Sequence, residues 1–138
     1  MTRETIGGCA LEYDAEATRR YDRRITLCEC AGCRNYRAQI RKRYPELAAF
    51  LERFGVDAAR PDELSWVEAG DGTILYDSVD YTVCGRVFEG TEYRAPLPGR
   101  PETEVFIRDE YVPNEQTGEY FTVSFTGVRL PYVLNEPL

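Results

Sequence analysis

Cys28, Cys30 and Cys33 are three of the five cysteines in this 138-residue chain, and no histidine accompanies them anywhere. Sulfur at this spacing supports two chemistries, metal ligation and thiol–disulfide exchange. Histidine is the usual general base near neutral pH and the commonest metal ligand. Its absence removes the partner that normally activates a cysteine nucleophile, so the chain reads as a non-enzyme before it reads as an enzyme.

As a metal site, the cluster has the C-x-x-C spacing of a zinc knuckle in Cys30-Ala31-Gly32-Cys33, with Cys28 adding a third sulfur. Zinc prefers four ligands, so Cys9 or Cys84 would have to close the site across the fold. The second C-x-x-C pair that makes such spacing persuasive is missing. As a redox site, the pair follows a short extended stretch and opens a helix, whose N-terminus stabilises a Cys30 thiolate. Arg34 assists that thiolate and Glu29 opposes it. The strand–helix alternation of thioredoxin-like folds is not present. The third reading treats the cysteines as small buried apolar side chains.

The segment Cys28-Glu29-Cys30-Ala31-Gly32-Cys33-Arg34-Asn35-Tyr36, followed by Pro45-Glu46-Leu47-Ala48-Ala49-Phe50-Leu51-Glu52 and Gly55-Val56-Asp57, resembles small bacterial proteins of unknown function. In those, a cysteine pair ahead of an Arg/Lys-Asn-aromatic step precedes a similar helix. The resemblance covers about the middle third of the chain. It implies a shared fold and no mechanism.

The elements that must position the sulfurs follow from periodicity. Residues 1–24 contain a charged, helix-forming stretch with few large apolar side chains, which predicts a short helix or a partly ordered arm. Tyr36, Ile40 and Tyr44 recur four apart, and Leu47, Phe50, Leu51 and Phe54 make an apolar stripe closed by Gly55, so 31–55 is predicted helical. From 64 to 134 the period is two. Gly70-Asp71-Gly72 marks one hairpin, and Pro113–Gly118 another. Val79, Tyr81 and Val83 face one way on their strand, with Asp80, Thr82 and Cys84 opposite. Phe121, Val123 and Phe125 point inward, with Thr122 and Ser124 outward. Helices first and strands afterwards predict a single-domain α+β fold over 1–138, its N-terminal helices packed on one face of a largely antiparallel, meandering sheet.

A domain of this size buries roughly 68% of its unfolded surface and needs no staples. The net charge of −7 is lopsided: residues 1–60 hold 12 basic and 9 acidic side chains, residues 61–138 hold 5 and 15. The first-ranked functional reading is therefore a binding module that presents its acidic sheet half to an unknown protein partner or to a second copy in a homodimer. The structural zinc site at Cys28, Cys30 and Cys33 is the alternative, and a thiol redox protein the third. Arginines interleaved with Tyr21, Tyr36 and Tyr44 could hold nucleic acid, but a pI near 4.7 argues against it. No apolar run reaches the ~18 residues a membrane span needs. An odd cysteine count and a polar N-terminal segment predict reduced thiols in the cytoplasm.

Overall fold

The apolar recurrence that begins at Tyr36 resolves into two helices in the computed structural model, which describes residues 1–90 and 92–138. Helix α2 spans Ala31–Arg43 and α3 spans Pro45–Glu52, with Pro45 at the first turn of α3, where its missing N–H costs nothing. Tyr36, Ile40, Leu47, Leu51 and Phe54 are each fully buried. Gly55, at φ 84°, closes the α3 end in the left-handed region, and the Val56 amide returns to the Leu51 carbonyl at 3.2 Å.

The strands are β3 (Glu63–Glu68), β4 (Thr73–Glu89), β5 (Tyr93–Leu97), β6 (Arg100–Asp109), β7 (Tyr120–Thr126) and β8 (Val128–Pro131), together with two earlier ones, β1 (Thr2–Ile6) and β2 (Cys9–Tyr13). Every pairing is antiparallel. The order is β1-β2-β4-β7-β6-β5, with β3 and β8 also on β4. Helices α2 and α3 cover one face of this sheet, as expected for the α+β class. Their apolar stripe shares one core with Val79, Tyr81, Val83, Phe121, Val123 and Phe125. Phe54 meets Phe121 edge-on at 5.8 Å, and the Tyr36 and Tyr81 hydroxyls bond at 2.6 Å, tying α2 to the middle of β4.

Two expectations are corrected. Of the two readings for residues 1–24, the short helix is present as α1 (Ala15–Arg24) and the partly ordered arm is not: β1 and β2 form a hairpin whose second strand pairs with the end of β4. The Asp14 carboxylate caps α1 by accepting from the Ala17 amide at 3.0 Å. Second, Thr122 and Ser124, expected to point outward, are buried, and so are Asp80, Thr82 and Cys84 on the face of β4 opposite Val79, Tyr81 and Val83. The cause is a gap beside β4. On the side away from β7, pairing with β3 ends at Asp80 and pairing with β2 begins at Gly85. Helix α1 fills the gap, with Thr18 Oγ1 accepting from the Cys84 amide at 3.0 Å and the Asp14 amide donating to the Cys84 carbonyl at 3.0 Å. The segment after β6 covers the rest, as Asn114 Nδ2 donates to Thr82 Oγ1 at 2.7 Å.

Candidate metal centre

The three sulfurs are brought together by the start of α2. Cys30 is its N-cap, in extended conformation with φ −66° and ψ 159°, and Cys33 lies in the first turn on the same side. Cys28 precedes them in an irregular segment that has no ladder to hold it. Two arginines one turn apart do so instead. Arg37 donates to the Cys28 carbonyl at 2.6 Å and to the Glu29 carboxylate at 3.1 Å, and Arg34 donates to the Glu29 carbonyl at 2.9 Å. Arg34 also pairs with Glu136 of the C-terminal segment.

In this arrangement the Sγ atoms of Cys28, Cys30 and Cys33 all lie within 4.8 Å of one another. Cys28 and Cys30 are exposed and Cys33 is buried. They border a cleft of about 150 Å³ walled by Leu27, Pro61, Leu64 and Trp66, with Arg37 at its side. Trp66 lies against the helix start so closely that a Cβ on Gly32 would sit 2.1 Å from the indole Cε2. Tyr76, opposite Trp66 in the β3–β4 register, donates to the Gly32 carbonyl at 2.7 Å and accepts from Asn35 Nδ2 at 3.1 Å. One cross-strand aromatic pair thus seats the first turn of α2.

The charges are arranged unequally. Partial burial opposes a Cys30 thiolate, but the Cys33 amide, the thiols of Cys33 and Cys28 and the Trp66 indole outweigh it and bring its pKa down to about 7. Burial, followed by the neighbouring Cys30 and Cys28 sulfurs, pushes the Cys33 thiol strongly up.

Neither Cys9 nor Cys84 belongs to this group of three, so the expected fourth sulfur is not supplied by either. Cys84 points to the face of β4 that α1 covers and packs with Tyr21 and Ile25. Cys9 sits in the core on β2, whose neighbour Ala10 pairs with Glu89, whereas the sulfurs lie near Tyr76 at the other end of the seventeen-residue β4. Burial raises both thiols.

Arg34 is expected to assist a Cys30 thiolate, and the backbone-holding role that it shares with Arg37 is one the cysteine motif does not show; their spacing of one and two turns beyond Cys30 is its signal. Asp22 was likewise passed over. It is 6% exposed and accepts from the Asp57 amide at 2.7 Å, and burial lifts its carboxyl to about 7. It shares a face of α1 with Thr18, Tyr21 and Ile25, which is how the sequence could have shown it. Among the described residues no helix is long and apolar enough to cross a membrane. No family model, no curated protein and no solved structure matches the chain.

Proposed function

We propose that the protein carries a metal–thiolate centre in which Cys28, Cys30 and Cys33 hold one thiophilic cation, zinc in the first instance. The observation that carries this reading is the mutual approach of the three Sγ atoms to within 4.8 Å. Sulfurs that share one tetrahedral zinc at about 2.3 Å stand about 3.8 Å apart, so small side-chain rotations complete the site. Thiolate donors with no imidazole or carboxylate among them select soft ions such as zinc and monovalent copper. Arg34 and Arg37 serve as the outer support, fixing the backbone of Cys28 and Glu29. Three sulfurs would leave a tetrahedral ion one further donor to find, which water, a small ligand or a carboxylate of the cleft lining, Asp62 or Glu63, would supply.

Five free cysteines fit a reducing compartment, which supports a cytoplasmic setting. The binding-module reading rests on the acidic half, and there several carboxylates are already engaged by arginines, Glu104 by Arg94 and Glu102 by Arg100. The thiolate cluster is the more specific feature.

Metal analysis of protein purified without added zinc, with thiols titrated before and after chelation, tests the reading. Close to one ion per chain is expected, with loss of the ion in Cys30→Ser. Fewer than about 0.2 ions per chain, with the exposed thiols of Cys28 and Cys30 modified equally fast before and after chelation, would remove the proposal.

A further inference from the structure

We infer that Cys30 and Cys33 also form a dithiol that exchanges with small-molecule disulfides, and that closing it discharges the ion. The discharge rests on the metal reading above; the exchange does not. Among the three sulfurs, geometry singles out this pair. Residues three apart in the first turn of a helix have Cα atoms about 5 to 5.5 Å apart, inside the 4.4–6.8 Å range that a disulfide spans without strain. Cys28, by contrast, lies in the irregular segment ahead of the helix, where no helical turn fixes its distance from Cys30 or Cys33.

Access divides the roles. Cys30 is exposed at the N-cap and borders the cleft of about 150 Å³, which has room for the incoming disulfide. Cys33 is 7% exposed and lies behind it, so it meets a mixed disulfide on Cys30 before it meets the external reagent. In the first step the Cys30 sulfur attacks one sulfur of R–S–S–R; a protein–S–S–R bond forms, the external S–S bond breaks and RS⁻ leaves with the electron pair. In the second the Cys33 sulfur attacks the Cys30 sulfur, and the second RS⁻ leaves. The two protein thiols are oxidised, one external disulfide is reduced, and the protons lost by the protein sulfurs, or taken from solvent where a metal had displaced them, complete two molecules of RSH. Cys28 is then the one thiolate left, too few donors to retain the ion.

The test incubates protein loaded with zinc, and protein kept free of metal, with 2-hydroxyethyl disulfide, then follows released zinc, thiols under denaturing conditions and the bridge by peptide mapping. The expected result is a fall from five thiols to three, a mapped Cys30–Cys33 bridge and one zinc released per bridge. Cys33→Ser should stop at a mixed disulfide on Cys30, with its fold checked by circular dichroism; the wild-type map decides the matter even if that variant is unfolded. A Cys28–Cys30 bridge, or a wild-type mixed disulfide that never closes, overturns the exchange, and a closed bridge with zinc still bound overturns the discharge. A bridge in protein that never takes up zinc sustains the exchange and sinks the metal reading alone. Zinc uptake with no bridge does the reverse.

Discussion

Gly32 and Trp66 occupy complementary space: the indole fills the volume that any side chain at position 32 would need, with the nearest ring atom 2.1 Å from an added Cβ. The glycine is required by this contact and not by a left-handed backbone, because it lies inside the first turn of α2. Gly32→Ala is therefore expected to destabilise the fold by about 1–3 kcal/mol, through displacement of the indole. Urea unfolding measures this. Pairing the change with Trp66→Ala should recover most of the loss, and simple additivity of the two changes would refute the contact as the cause.

Arg37→Ala removes the bonds to the Cys28 carbonyl and the Glu29 carboxylate. Its cost in fold stability should be about 1 kcal/mol, since the guanidinium is mostly covered while its Glu29 partner is exposed. Its effect on the site should be larger, a loss of zinc affinity on the order of tenfold or more, as for other supports of metal ligands. Competition with a chromophoric chelator reads this out, and an affinity within twofold of wild type would show that the loop needs no such fastening.

Asp22 gives the fold a pH dependence of defined sign. Burial, offset in part by the Asp57 amide and by Arg60, lifts its folded-state pKa to about 7, against about 3.9 in an unfolded chain. The native state therefore holds the proton more tightly. The resulting stabilisation is complete below about pH 4 and is lost as pH rises through about 7. Asp22→Asn keeps an oxygen for the Asp57 amide and carries no charge. It should be more stable than wild type at pH 9, on the order of 4 kcal/mol for a displacement of about three pH units, and equal to it only below about pH 4. Denaturant midpoints at the two pH values check this, and a pH-independent difference would contradict it.

Thr18 completes the hydrogen bonding of the gap beside β4. Its Oγ1 accepts from the Cys84 amide at 3.0 Å and donates to the Asp14 carbonyl at 2.8 Å. Thr18→Val keeps the shape and orphans a buried N–H, at a cost of about 1–3 kcal/mol, while Thr18→Ser should lose less. Amide exchange at Cys84 should accelerate in the valine variant, and an unchanged rate would mean that water had replaced the hydroxyl.

Periodicity made much of this fold legible. Tyr36, Ile40 and Tyr44, the Leu47–Phe54 stripe and the alternation through Val79 and Tyr81 each fell where a buried face was expected, since one-sided burial imposes that pattern. The β1–β2 hairpin escaped notice although Gly7-Gly8 between Ile6 and Cys9 is a hairpin signal, because Arg3, Glu4 and Glu12 make the strands look like an exposed charged segment. The burial of Asp80, Thr82 and Ser124 could not be read locally. It depends on α1 and the segment after β6 covering the second face, and polar side chains there satisfy one another. At the site, the spacing of Cys28, Cys30 and Cys33 was visible, whereas Trp66 and Tyr76 join it only through the β3–β4 register.

Strand β4 hydrogen-bonds to β2, β3, β7 and β8, and the last of these reaches Pro131. A nascent polypeptide leaving the ribosome therefore cannot complete the central sheet until residue 131 has emerged, since β7 and β8 flank the strand they complete. Through that interval the start of α2 lacks the Pro131 carbonyl that accepts from the Asn35 side-chain amide, so the turn that carries the sulfurs is not fully fastened until that residue arrives.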